Sequence, residues 1–122
     1  MASILLVDDD EQFRCMLSES LSRAGYEVTE ARDGREATQC YRDHPCDLII
    51  TDLIMPEKEG LETIAELRRN HPDVKIIAIS GGSRHGSWDY LKMARAFGAR
   101  QVLAKPFTRQ EVLEVVTQVL DQ

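Results

Sequence analysis

Three carboxylates follow the apolar runs of this sequence at points where a strand would end. Asp8 and Asp9 follow the run from Ile4 to Val7, and Asp52 follows the run from Leu48 to Thr51. Because the carboxyl ends of parallel strands meet at one edge of a sheet, we expect these carboxylates to lie together and repel one another. A divalent cation with oxygen ligands relieves that repulsion, and Mg²⁺ is the usual choice. The three residues therefore predict a magnesium site.

A hydroxyl and a lysine follow two later apolar runs. Ser80 ends the fourth run and Lys105 comes directly after the fifth. A metal and a lysine neutralise charge on a transferring phosphoryl group, and a carboxylate can be the nucleophile that forms an acyl phosphate. The three histidines lie beside Pro or in a predicted loop, where solvated turn residues are typical: His44, His71 and His85. The constellation predicts a site that handles phosphoryl groups.

Five strand-like and five helix-like segments alternate along the chain and would position these residues. The predicted strands are Ser3–Val7, Tyr26–Ala31, Leu48–Thr51, Val74–Ile79 and Val102–Ala104. The predicted helices run from Glu11 to Ala24, from Asp33 to near His44, from Leu61 to Asn70, from Trp88 to Phe97, and from Thr108 onward. This (βα)5 order predicts an α/β fold, a doubly wound parallel sheet covered on both faces. Strand order 2-1-3-4-5 is one of two common choices, between which periodicity does not decide.

Composition limits the class of protein. The chain has 122 residues, of which 43% are hydrophobic and 30% charged, as in one globular domain. Its net charge of −6 argues against non-specific binding to nucleic acid. No apolar run is long enough to span a bilayer and no export signal opens the chain, so we expect a cytoplasmic protein. The three cysteines, Cys15, Cys40 and Cys46, are expected to be reduced and mostly buried.

Four segments resemble the receiver domain of two-component response regulators. They are ILLVDDD, LIITDLIMP, IIAISGG and VLAKPF, in this order, and the resemblance covers essentially the whole chain. It implies the flavodoxin-like strand order 2-1-3-4-5. It also implies that Asp52 accepts a phosphoryl group from a histidine kinase or a histidine phosphotransfer protein. A receiver is not an enzyme, although it takes part in its own phosphorylation and dephosphorylation.

The resemblance also assigns the metal ligands. Asp9 would bind Mg²⁺ directly, Asp8 mostly through water, and the backbone carbonyl of Ile54 would be a further ligand beside Asp52. Asp10 lies outside this set, and we expect it to cap the first helix. Taken singly, Asp8 or Asp10 is as typical of a helix cap as of a metal ligand.

Ser80 and Lys105 receive roles from the same resemblance. Ser80 would donate a hydrogen bond to the acyl phosphate and Lys105 would pair with it, with a cis peptide bond between Lys105 and Pro106. Many receivers have Tyr or Phe three residues before the lysine, where this chain has Val102. We therefore expect the segment from Ser80 to Ser87, and Trp88 after it, to transmit the signal instead.

Output is expected to pass through protein contacts, since no output domain follows the last helix and no direct DNA binding is predicted. Phe13 and Met16 lie off the apolar stripe of the first helix, so each is either a core residue or an exposed contact for a kinase or phosphotransfer helix. The downstream target is not indicated by the sequence.

Two other functions share parts of the pattern. A small Mg-dependent phosphohydrolase would also use an Asp nucleophile, but it needs a general acid or base near it, and two residues after Asp52 the chain has Ile54. A receiver-like binding module without phosphate chemistry is the third interpretation, which the complete set of site residues disfavours.

Overall fold

A computed structural model of the protein describes residues 2–53, 60–80, 92 and 94–122. The strands are β1 (Ser3–Val7), β2 (Glu27–Ala31), β3 (Leu48–Asp52), β4 (Ile76–Ser80) and β5 (Gln101–Ala104). The helices are α1 (Glu11–Arg23), α2 (Gly34–Asp43), α3 (Gly60–Asn70) and α5 (Arg109–Leu120). Residues 92 and 94–97 are helical and belong to a further helix, α4.

The five strands form one parallel sheet in the order β2-β1-β3-β4-β5. This confirms the predicted fold class and strand order. The central strands β1, β3 and β4 are buried almost throughout, which explains their continuous apolar sequence. The edge strands β2 and β5 are more exposed and correspondingly more polar.

The sheet separates two hydrophobic layers. Successive residues of β1 point to opposite faces, so that Leu5 and Val7 pack on one side and Ile4 and Leu6 on the other. The α2–α3 layer contains Leu5, Val7, Ala37, Tyr41, Ile49, Leu61, Ile64, Leu67 and Ile76, among others. The α1–α5 layer contains Ile4, Leu6, Leu17, Leu21, Ile50, Ile77, Val112 and Val116, among others. Helices therefore cover both faces, as predicted.

Capping residues fix where three helices begin. The carboxylate of Asp10 accepts a hydrogen bond from the Phe13 N–H, which confirms its predicted role as the cap of α1. Thr108 and Glu111 form the expected reciprocal capping box at α5. At α2, Asp33 accepts from the Glu36 N–H as expected.

The element ends differ from the predictions by one or two residues. Strand β4 begins at Ile76 and not at Val74, because the Val74 N–H bonds to the His71 carbonyl and so belongs to the turn after α3. Helix α1 ends at Arg23, which leaves Ala24 as an exposed cap outside the buried stripe. Gly25 follows with φ +100°, a conformation that glycine adopts without steric cost.

The cysteine prediction was partly wrong. All three cysteines are free, but Cys15 is exposed on α1, whereas Cys40 and Cys46 are half-buried. No helix in the described part of the chain is long and apolar enough to cross a membrane. The predicted start of the fourth helix at Trp88 and the glycine-containing segment before it lie outside the described residues.

Candidate functional site

The carboxyl ends of β1, β3, β4 and β5 bring the predicted site residues to one edge of the sheet. Val7 pairs with Thr51 in register, so Asp8 and Asp52 both come one residue later, on neighbouring strands. Asp52 in turn pairs with Ile79, and Ser80 pairs with Ala104. Hydrogen bonding between strands therefore decides which polar residues meet here.

Asp8, Asp9 and Asp52 form an acidic pocket. Each offers a carboxylate oxygen, and these oxygens lie within 4.8 Å of one another. Asp8 is 1% exposed and Asp52 is 7% exposed, whereas Asp9 is open to solvent. Three oxygen donors at this spacing, with one side open, fit a hard cation such as Mg²⁺ that keeps several water ligands.

Burial raises the pKa of the Asp8 carboxyl above its ordinary value. The Asp10 N–H, which donates to Asp8 Oδ1 at 2.9 Å, and the ammonium group of Lys105 both oppose this shift. A cation bound in the pocket would favour the charged form of this buried carboxyl and so would act in the same direction as Lys105.

Lys105 reaches into the acidic pocket from the end of β5. Its Nζ lies 3.2 Å from Asp8 Oδ2 and 3.9 Å from Asp52 Oδ2. The Lys105 N–H donates to the Ser80 carbonyl at 2.8 Å, and the peptide bond to Pro106 is cis, as expected. The lysine is therefore placed where a group attached to Asp52 would meet a positive charge.

The Ser80 hydroxyl is buried at the end of β4. Ser80 is 0% exposed, and within the described part of the chain its Oγ has no hydrogen-bond partner. Burying a hydroxyl without a partner costs free energy, so such a group is ready to bond an incoming acceptor. A phosphoryl oxygen is an acceptor of the right kind.

Arg14 and Glu30 support the pocket and were not predicted from the sequence. Arg14 Nη1 donates to the Asp8 carbonyl at 2.7 Å, and its Nε pairs with Glu30 at 2.8 Å, although Arg14 is only 9% exposed. The available signal was the position of Arg14 on the same helical face as Leu17 and Leu21. A charged residue on a buried stripe requires a polar partner.

Phe13 and Met16, which the sequence left as either core residues or exposed contacts, have different environments on α1. Phe13 is half-buried and packs on the α1–α5 layer, with its ring 5.9 Å from that of Phe107 in an edge-to-face arrangement. Met16 is 66% exposed. With Phe107, Arg109 and others, both line a groove of about 180 Å³ between α1 and α5.

Two further predictions concern the switch and the metal. Val102 is half-buried and packs against the α2–α3 layer, so the position before the lysine holds an aliphatic side chain. Ile54, the predicted carbonyl ligand, lies outside the described residues.

Comparison with known proteins identifies the family. Residues 4–117 match the response regulator receiver domain family. The chemotaxis protein CheY of Thermotoga maritima is 36% identical over 117 residues, which cover 95% of each chain. The response regulator protein TrrA of the same organism, solved in complex with Mg(2+)-BeF, superimposes with a TM-score of 0.86 at 34% identity, covering 98% of this chain and 99% of that one.

The receiver also occurs inside longer proteins. The DNA-binding transcriptional regulator NtrC of Azospirillum brasilense is 35% identical over 98% of this chain, which spans only 24% of the regulator.

This chain belongs to the response regulator receiver domain family and is a phosphorylation-dependent switch of two-component signalling. Receivers of the CheY type act with sensor kinases and downstream targets. The alternative of a small phosphohydrolase finds no support among these relatives.

Proposed function

We propose that Asp52 is the phosphoacceptor of this receiver, and the observation that supports it best is the surroundings of its carboxylate. Asp52 is nearly buried, shares the acidic pocket with Asp8 and Asp9, and has the Lys105 ammonium at 3.9 Å. A carboxylate beside a metal site and a lysine is the arrangement that acyl phosphate formation needs.

These positions support the following reaction. An Asp52 carboxylate oxygen attacks the phosphorus of a phosphohistidine, so that an O–P bond forms as the P–N bond breaks and the imidazole leaves. Lys105 then donates to a phosphoryl oxygen, and the Ser80 hydroxyl, which has no hydrogen-bond partner among the described residues, donates to another. When bound by the acidic pocket and the Ile54 carbonyl, Mg²⁺ supplies charge neutralisation of the transferring group. The relative TrrA was solved in complex with Mg(2+)-BeF, and because beryllofluoride mimics a phosphoryl group, that complex supports the binding of Mg²⁺ together with a phosphoryl group in this receiver.

The phosphoryl donor in this proposal is a histidine kinase or a histidine phosphotransfer protein of the cytoplasm. Such a partner must cover the edge of the sheet where Asp52 lies, and α1 begins beside that edge. Met16 is the exposed apolar residue on this part of α1 and is our candidate contact. In this proposal the phosphorylated receiver passes the signal on by contact with a protein target, and it catalyses no reaction on another substrate.

Labelling with acetyl phosphate tests the phosphoacceptor. We expect wild-type protein with Mg²⁺ to gain one phosphoryl group by mass spectrometry, and Asp52→Asn, or wild type in chelator, to gain none. Asp10→Asn is the matched control, since it removes a neighbouring acid that caps a helix, and it should be labelled. Labelling of folded Asp52→Asn to the wild-type extent would overturn the assignment.

A further inference from the structure

Lys105 makes a contact that neither the acidic pocket nor Ser80 explains. Its Nζ lies 3.8 Å from the centroid of the Phe13 ring, over the ring face. The same Nζ is 3.2 Å from Asp8 and 3.9 Å from Asp52. The ammonium group thus contacts the face of an aromatic ring and also lies close to two carboxylates. A cation over an aromatic face is attracted by the negative potential of the ring.

The Phe13 ring is itself held in place by two elements. Its contact with Phe107, at 5.9 Å and an interplanar angle of 82°, ties it to the segment that follows Lys105. The next residue on α1, Arg14, bonds the Asp8 carbonyl and Glu30 and thereby fixes that helix against the pocket. The ring under Lys105 is therefore restrained by its contact with Phe107 and by the anchoring of α1 through Arg14.

An aromatic ring suits this task better than an anion would. Lysine has four rotatable bonds in its side chain, and its ammonium can occupy many positions unless neighbours restrict it. A further carboxylate would restrict Lys105 but would also compete with a phosphoryl group for its charge. The ring attracts the ammonium without accepting a conventional hydrogen bond, so Lys105 still donates to Asp8 at 3.2 Å and keeps its charge 3.9 Å from Asp52.

We propose that Phe13 is a positioning residue for phosphorylation, whose ring holds the Lys105 ammonium between the carboxylates of Asp8 and Asp52. This inference rests on the proposed role of Lys105 in pairing with the phosphoryl group. It assigns to α1 a part in the chemistry, in addition to its packing.

Substitutions at Phe13 separate the ring from its packing. Phe13→Leu keeps an apolar side chain and removes the aromatic face, whereas Phe13→Tyr keeps the face. We expect Phe13→Leu to be phosphorylated by acetyl phosphate roughly three- to tenfold more slowly than wild type and Phe13→Tyr to stay within about twofold, in line with the strength of a partly exposed cation–π contact. Phe107→Leu removes one of the two contacts that hold the Phe13 ring but leaves the ring itself, so it should slow phosphorylation by less than Phe13→Leu does.

Nuclear magnetic resonance gives a readout independent of phosphorylation. A ring face beneath the lysine shifts the Lys105 ε-methylene protons upfield, and we expect this shift in wild type and in Phe13→Tyr but not in Phe13→Leu. Phe13→Met serves as a second non-aromatic variant if Phe13→Leu does not fold.

The outcomes distinguish this inference from the proposed function. If Lys105→Met is phosphorylated as fast as wild type, the proposed role of Lys105 fails. If Lys105→Met is slow while Phe13→Leu is as fast as wild type, or if the Lys105 ε-methylene protons show no upfield shift in wild type, only the positioning role fails. Equal slowing in Phe13→Leu and Phe13→Tyr would also overturn it, because packing alone would then explain the effect.

Discussion

Asp9 and Asp10 are neighbours in sequence whose side chains have different surroundings. Asp9 belongs to the acidic pocket, whereas the Asp10 carboxylate accepts from the Phe13 N–H. We predict that Asp9→Asn weakens Mg²⁺ binding by tenfold or more, since it removes a charged ligand. Asp10→Asn should keep Mg²⁺ affinity within a fewfold and cost at most about 1 kcal/mol of unfolding free energy, because Asn also caps helices. Calorimetric titration with Mg²⁺ and urea denaturation measure the two quantities, and equal losses of affinity would contradict the assignment.

The three cysteines should differ in reactivity. Burial raises the pKa of the Cys46 thiol to about 11, and burial also raises the pKa of Cys40. Only the thiolate reacts, so at pH 8 about one Cys46 in a thousand is reactive, and this fraction rises as the pH approaches 11. We predict that iodoacetamide at pH 8 first labels the exposed Cys15 of the native protein, as peptide mass mapping would show.

A Cys15→Ser variant provides the control for this labelling. It should react slowly when folded and give two labelled cysteines in denaturant. If Cys46 in the native protein is labelled as fast as Cys15, the Cys46 thiol is accessible and ionised, which contradicts this prediction.

Helix α4 is followed by a glycine, Gly98, that lies directly against the Arg68 side chain. Gly98 has φ +127°, and a Cβ built there would lie 2.5 Å from Cγ of Arg68 on α3. Gly25 after α1 also has a positive φ, +100°, but nothing within 4 Å of such a Cβ. We predict that both Gly→Ala variants lose stability, by roughly 1–3 kcal/mol for the backbone strain, and that Gly98→Ala loses more.

Urea denaturation with a double-mutant cycle isolates this contact. Arg68→Ala should recover the excess loss in Gly98→Ala but change Gly25→Ala only by its own effect. Equal costs at the two glycines, with no coupling to Arg68, would mean that Arg68 moves aside freely.

The elements were predictable because local signals mark them. Asp10 and Thr108 are typical capping residues directly before helices, and the ends of β1 and β5 are marked by Asp8 and Lys105. The resemblance to receivers supplied the strand order, which periodicity left open. By contrast, Val74 reads as a strand residue, and only its hydrogen bond to His71 shows that it belongs to a turn.

The polar residues of the site were predictable from the sequence, but the residues that hold them in place were not. The predictable residues follow or end strands of one parallel sheet, and the order of those strands brings them together: Asp8, Asp52, Ser80 and Lys105. The contact of Phe13 with Lys105 joins residues 92 positions apart in the sequence, and no local pattern relates them. Such contacts depend on how α1 is rotated against the sheet, which is set by tertiary packing.

At the scale of the whole molecule, the sheet divides the hydrophobic interior into two layers. Ile77 and its register partner Ile50 lie in the α1–α5 layer, whereas Ile64 lies in the α2–α3 layer. Ile77→Ala should cost about 2–5 kcal/mol and Ile64→Val about 0.5–1.5 kcal/mol. We predict that these two costs add within about 0.5 kcal/mol, because the sheet separates the sites.

The combination of Ile77→Ala with Ile50→Val is the matched comparison. Those side chains are neighbours on one face, so a cavity at one changes how the other relaxes, and their costs should not add. Chemical denaturation of the single and double variants measures the unfolding free energies, so that the cost of each double variant can be compared with the sum of its two single costs. Strong coupling between Ile77 and Ile64 would mean that the sheet transmits repacking from one layer to the other.

The polar edge strand β2 has a consequence for how copies of the protein behave at high concentration. An edge strand presents unpaired backbone groups that can template aggregation with a second sheet. Here the strand is only five residues long and exposes Glu27, Thr29 and Glu30. Two β2 strands brought side by side would bring like charges together, and this repulsion disfavours growth of the sheet from one molecule into the next.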